Sequence, residues 1–241
     1  MNYLREVRCI FSERLRFLAD LRLNLLYLLK KDKSQFSESI LIQKHLKNNF
    51  TTYYLEIGCF QPILYSNSYD LGENFIGMHV DANPRLKLQW KIFRNSEYFI
   101  NMAVSAEKNI DSNYYLFHRR HAVLNTLDID YAKNWEKQGY KYKIKKVNTL
   151  SVLEITNLFR KVHGADINFL MIDVEGLDYE IIFKFMEICT TKTLGEVPFP
   201  KWILAEDHDG KIENLLVSLT GRYRLLEKKG PSSFFELSDT F

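Results

Sequence analysis

From residue 40 onward, short apolar runs alternate with longer stretches whose apolar residues recur at helical spacing. The runs predict strands over Tyr53–Gly58, Phe75–Asp81, Glu97–Ala103, Ile167–Val174 and Trp202–Glu206. Helices are predicted between them over Ile40–Asn48, Asn83–Phe93, Leu150–His163, Gly176–Cys189 and Gly210–Leu219. Phe169-Leu170-Met171-Ile172 and Ile203-Leu204-Ala205 are continuously apolar, as strands covered on both faces must be. Two later runs, Arg222–Glu227 and Ser233–Leu237, flank the turn signal Gly230-Pro231 and predict an antiparallel hairpin at one edge. Strand–helix alternation of this kind makes an α/β fold, a mostly parallel sheet with helices on both faces.

The N-terminus follows a different pattern. Leu4, Val7, Phe11, Leu15, Leu18, Leu21 and Leu25 lie along one amphipathic helix, with Arg8, Arg14, Arg16 and Arg22 among its charges. Its longest uncharged stretch, Leu23–Leu29, falls far short of the roughly 18–20 residues of a membrane span. No unbroken apolar block and cleavage site marks a secretory signal. The expected organisation is an amphipathic helical extension over residues 1–39 and one α/β domain over residues 40–241. The arginines suit an anionic membrane surface; the same helix could instead pack on the domain or against a second copy in a homodimer.

Composition narrows the class only slightly. With 46% apolar and 26% charged residues over 241 positions, the chain is neither disordered, collagen-like nor a coiled coil. A net charge of +3 is too small to argue for nucleic acid. Cys9, Cys59 and Cys189 are far apart, without metal-ligand spacing, and read as reduced thiols in a cytoplasmic protein, one that sits peripherally on the inner membrane if the basic helix engages it.

Chemistry is expected beyond the carboxyl ends of the strands. Gly58 ends the first strand, and Asp81 follows it by 23 residues at the end of the second. That is near the spacing at which an acid meets a ribose in nucleotide-binding units. No G-x-G-x-x-G is present, because the next glycine after Gly58 is Gly72, and a pyrophosphate cofactor is therefore disfavoured. A nucleoside cofactor without phosphates needs only one bare backbone position and acidic partners. Read without a ligand, Gly58 is a strand-end turn and Asp81 a helix cap before Pro84. Asp173 and Glu206 end the two most apolar strands, where burying a carboxylate is costly unless it binds something. Glu175 and Asp178 read as charges at a helix N-terminus, and Asp207 and Asp209 as loop charges.

Four blocks, LEIGCFQPILYSNSY (Leu55–Tyr69), GMHVDANPRL (Gly77–Leu86), NMAVS (Asn101–Ser105) and FLMIDVEGLDYEII (Phe169–Ile182), resemble the FkbM-type S-adenosylmethionine-dependent methyltransferases. The resemblance runs from about Tyr53 to Asp207, and I-D-V-E-G is its most specific string. It implies a Rossmann-like seven-stranded methyltransferase sheet, mostly parallel with an antiparallel C-terminal edge, making residues 40–241 a class I methyltransferase domain. It further implies that Glu56 and Gly58 meet the methionine end of S-adenosylmethionine, Asp81 its ribose and Asn101–Ala103 its adenine. Ser66 and Asn67 belong to the SNT-like loop, and Asp173 is assigned to both cofactor and catalysis. Cys59-Phe60-Gln61 and His79 depart from the usual pattern.

The implied reaction is methylation of a hydroxyl on a small molecule or glycan: a sugar, a lipid-linked precursor or a natural product. Asp173, Glu206 and Asp207 are candidate ligands for a divalent ion such as magnesium, and His208 is a candidate base beside Asp173 and Glu206. A metal-free site is favoured, because Glu206 reaches further than the usual aspartate. Two other readings compete. One is an RNA methyltransferase using His118–His121 and the basic, tyrosine-bearing segment Lys137–Lys146 as a stacking groove, although an edge strand, or a surface accepting an anionic glycan, explains that segment better. The other is a non-catalytic binding module on the same fold. Asp128-Ile129-Asp130 has the form of a metal-chelating D-x-D, but no apolar strand precedes it.

Overall fold

The computed structural model describes residues 17–46, 50–191 and 196–238. A helix over 17–28 (α1) is followed by α2 (Glu38–His45), β1 (Thr52–Ile57), β2 (Phe75–Val80), α3 (Lys87–Phe93), β3 (Tyr98–Ile100) and β4 (Ala103–Ser105). Next come β5 (Ser112–Phe117), a 3-10 segment (Arg119–Leu124), α4 (Ile129–Lys137), β6 (Tyr142–Val147), β7 (Thr149–Ser151) and α5 (Val152–His163). The chain closes with β8 (Phe169–Ile172), α6 (Asp178–Thr190), β9 (Trp202–Glu206), α7 (Lys211–Glu213) running into a π turn (Asn214–Leu219), β10 (Tyr223–Lys229) and β11 (Ser232–Leu237).

Seven strands form the main sheet in the order β10-β11-β9-β8-β1-β2-β3. The run from β3 to β9 is parallel, and β11 lies antiparallel between β9 and β10. Successive residues of a strand point to opposite faces, and here the alternation divides the core in two. Leu55, Ile57, Leu170, Ile172, Ile203 and Ala205 pack with α5 and α6 on one face. Tyr54, Phe169, Met171, Trp202 and Leu204 pack with Leu41 and Ile42 of α2 on the other. That is why Phe169–Ile172 carries no polar residue.

Local signals set most boundaries. Ser151 and Glu154 form a reciprocal capping box that starts α5, and Gly164 ends it in the left-handed conformation. The predicted strand Glu97–Ala103 is corrected to two, β3 and β4. Between them the Asn101 amide donates to the carbonyls of Asp81 and Asn83, and β4 leaves the main sheet to pair with β7. The predicted helix at Asn83 begins only at Lys87, since Asn83 accepts from the Arg85 N–H in a turn.

The predicted residues Leu4, Val7, Phe11 and Leu15 of the N-terminal helix lie outside the described residues. α1 itself is held by Asn24, which is fully buried. Its amide donates to Gln61 at 2.8 Å and Gln89 at 3.2 Å, and its oxygen accepts from the Ile63 and Leu64 N–H groups. Among the described residues, no helix is long and apolar enough to cross a membrane.

Candidate functional site

β1 and β8 are neighbours whose chains continue to opposite sides of the sheet, which opens a crevice beyond their carboxyl ends. Gly58, Asp81, Asp173 and Glu206, from the ends of four parallel strands, line a single cavity there, together with Glu56, Asn67 and Ala103. Gly58 has φ +85°, and a Cβ at this position would lie 1.6 Å from the carbonyl oxygen of Asp173. No other residue fits.

Asp81 presents an ordered carboxylate. Its oxygens accept from the Phe60 N–H at 2.9 Å and the Asn83 N–H at 2.7 Å. Burial pushes its pKa up to about 6 against those bonds. Glu56 accepts from Ser68 at 2.6 Å and lies 2.8 Å from His79, its cross-strand partner on β2. His79 lies equally close to Glu97, and Arg94 ties Glu97 to Ser66 and Ser68. The departure at His79 is thus a buried polar bridge that locks the Ser66–Ser68 loop against the strands, with the rings of Trp90 and Phe99 stacked beside it.

Opposite Asp81 lies a group of acids. Oxygens of Asp173, Glu175 and Glu206 come within 4.8 Å of one another. Burial raises the pKa of all three, and their mutual repulsion adds to it for Asp173 and Glu175, the latter reaching about 8. Glu175 sits at φ +57°, a conformation that a non-glycine residue adopts at a cost. Its carboxylate accepts from the Tyr131 hydroxyl, and its carbonyl accepts from Thr126 Oγ1 at 2.7 Å. Asp178, at the start of α6, accepts from the Val174 and Gly176 N–H groups, while burial and Glu206 lift its pKa to about 7.

Other sequence-predicted residues lie away from the lining. Ser66 is buried against Arg94, and Asn101 braces the backbone of Asp81. The candidate metal ligand Asp207 is corrected to a helix cap, because both of its oxygens accept from N–H groups at the start of α7. The three-acid group contains Glu175 in its place. His208 lies 3.3 Å from Glu206 and is mostly exposed, outside the cavity lining. Asp128 of the D-x-D tripeptide caps α4 through the Asp130 and Tyr131 N–H groups. Tyr140 and Tyr142, proposed to stack bases, pack instead on His121, Trp135, Tyr115 and Phe117.

Sequence reasoning missed Tyr114 and Tyr131 and read Glu175 as a helix-end charge. It read Leu124–Leu127 as a candidate acceptor loop, and Asn125, Thr126 and Leu127 do line the cavity. Tyr114 and Thr126 wall the cavity, and Tyr131 fixes Glu175. The usable signal was the glutamate inside I-D-V-E-G, which precedes a glycine with φ +109° rather than entering the helix.

Residues 65–224, about two thirds of the chain, match the family model described as Methyltransferase FkbM domain. No curated protein and no solved structure matches the chain.

Proposed function

Since the chain belongs to the FkbM methyltransferase family, we propose that it uses S-adenosylmethionine to methylate a hydroxyl, on a sugar of a glycan, of a lipid-linked precursor or of a related small molecule. On this reading the main sheet is the Rossmann-like seven-stranded methyltransferase sheet, and the protein works in the cytoplasm. The supporting observation is the convergence of Gly58, Asp81 and the three-acid group on one cavity at the strand ends.

The residues fit a nucleoside sulfonium. Asp81 is oriented by two N–H groups and open to the cavity, which suits ribose hydroxyls. Glu56 and the acids around Asp173 suit a ligand with positive charge, and the lining has no glycine-rich phosphate cradle. Bound there, S-adenosylmethionine supplies a methyl carbon already activated toward attack. The chain's own residues then have two tasks. They hold the acceptor oxygen in line, and they take its proton. We assign the proton to the Asp173–Glu175–Glu206 group, whose raised basicity favours capture, with Glu175 held in place by Tyr131. With the cofactor bound, the acceptor oxygen would bond to the methyl carbon as the carbon–sulfur bond breaks, its electron pair left on sulfur as a neutral thioether. The acceptor's proton would pass to a carboxylate, so charge and atoms balance. On this reading His208, 3.3 Å from Glu206, relays that proton outward.

Calorimetry tests cofactor binding. Asp81→Ala should weaken S-adenosylmethionine by about tenfold to a hundredfold, the worth of charge-assisted hydrogen bonds at roughly 1.5–3 kcal/mol. Equal affinity in both proteins would remove Asp81 from the site. Because this mechanism takes the acceptor proton with a carboxylate and uses no metal ion, exhaustive chelation should leave turnover unchanged; loss of activity restored by magnesium would replace it with a metal-assisted one.

A further inference from the structure

A second concavity, between α1 and the 60–65 loop, adjoins the cavity, sharing Gln35, Phe60, Tyr65, Ala122 and Val123 with it. We propose that this groove holds the acceptor, and that Arg22 and Arg120 grip a phosphate joining the acceptor sugar to an apolar chain. The proposal rests on the methyltransferase reading and adds the chemical class of the acceptor.

Three observations carry it. The groove is walled by Leu23, Leu26 and Tyr27 of α1 and by Leu64 across from them, an apolar lining that a bare sugar would leave unused. Its charge is one-sided. Among the described residues, Asp20 is the one carboxylate in the lining, and Arg119 holds it at 2.5 Å. Arg22 and Arg120 line the same groove, are exposed, and form no ion pair among the described residues. An anion flanked by hydrocarbon matches that pairing, and guanidinium groups bind phosphate through paired hydrogen bonds.

The neck of the groove is also built for contact. Phe60 and Tyr65, with rings 6.4 Å apart and 18° from parallel, both hold positive φ, +48° and +59°. Two strained aromatic residues at one passage point to a working surface. Beyond the groove, Leu18 and Leu25 on α1 and Leu29 in the turn after it expose further apolar surface, beside Lys30 and Lys31. A chain leaving the groove would continue along that surface toward an anionic membrane.

The test uses the full chain and farnesyl phosphate, with farnesol, inorganic phosphate and a uridine diphosphate sugar as comparators and S-adenosylmethionine affinity as the control. Farnesyl phosphate should bind about tenfold or more tighter than each comparator. The Arg22→Ala/Arg120→Ala double variant should lose that preference while keeping its cofactor affinity. Normal cofactor binding with no preference for farnesyl phosphate, an unaffected double variant, or tighter binding of the nucleotide sugar overturns the proposal alone. Failure of the wild type to bind S-adenosylmethionine overturns the methyltransferase reading and the proposal with it.

Discussion

Glu175 is held by opposing influences that single substitutions can separate. Burial and Glu206 raise its pKa, and the hydrogen bond from Tyr131 lowers it. If its carboxylate takes the acceptor proton, kcat/KM for the cofactor, which reports the free protein, must rise with pH as it ionises, with a midpoint near its value of about 8. Glu206→Gln should move that midpoint down, because a neighbouring negative charge is gone. Tyr131→Phe should move it up, because the ionised form loses a donor. Glu175→Gln should lower turnover by about 10²–10⁴-fold and abolish the limb. A profile indifferent to all three variants would leave the proton to another group. Gly58 is constrained in another way. Gly58→Ala combines a disfavoured φ with a Cβ driven into the Asp173 carbonyl, so β1 and β8 must part. The expected loss is roughly 2–5 kcal/mol, read from denaturant midpoints.

Among the elements, α1 shows how one polar residue can fix a helix whose leucines would pack in many ways. Asn24 is buried and makes hydrogen bonds to four other residues from the 61–64 loop and α3. Asn24→Ala leaves the Ile63 and Leu64 N–H groups without that partner, at about 1–3 kcal/mol. The expected result is faster hydrogen exchange confined to α1 and the 60–65 loop, with β1 and β8 still protected; global loss of protection would mean that α1 supports the whole fold. Asn24 also marks the limit of what the sequence conveys. β8, β9, α5 and the β10–β11 hairpin were legible because their signals are local: continuous apolar runs, helical spacing, a Gly-Pro turn. The periodicity of α1 pointed to leucines and said nothing of its asparagine. β5 and α4 were not recognised, and Asp128, which looked like a chelating residue, proved to be the cap of α4. The Tyr131–Glu175 contact joins residues 44 positions apart, and only the packing of α4 over the I-D-V-E-G turn creates it. The strand-end position of Gly58, Asp81, Asp173 and Glu206, and their meeting in one polar cleft, could be read directly; the company of Glu175 and Tyr131 could not.

At the scale of the whole molecule, the raised carboxyl pKa values make stability depend on pH in a fixed direction. Asp81 moves from 3.8 to about 6, Asp178 from 3.8 to about 7 and Glu175 from 4.5 to about 8, while Asp173 and Glu206 also move up. Between the unfolded and folded values the native protein binds more protons than the unfolded chain. Stability from these groups is therefore complete below about pH 4 and is lost as pH rises through about 6 to 8. Each extra proton held by the native state gives a slope of about 1.4 kcal/mol per pH unit. The free protein should thus show a falling denaturant midpoint between pH 5.5 and 8.5, and a shallower fall in Glu175→Gln. A cationic ligand reverses the cause. S-adenosylmethionine carries a sulfonium and an ammonium group, and its arrival among these acids would favour their ionised forms. Binding at pH 7 should then expel protons, on the order of one per molecule, and flatten the pH dependence of stability. Titration calorimetry in buffers of different ionisation enthalpy measures that release directly. Heats that do not vary with the buffer would mean that the acids keep their protons when the cofactor is bound, and the charge-matching account of this site would fall.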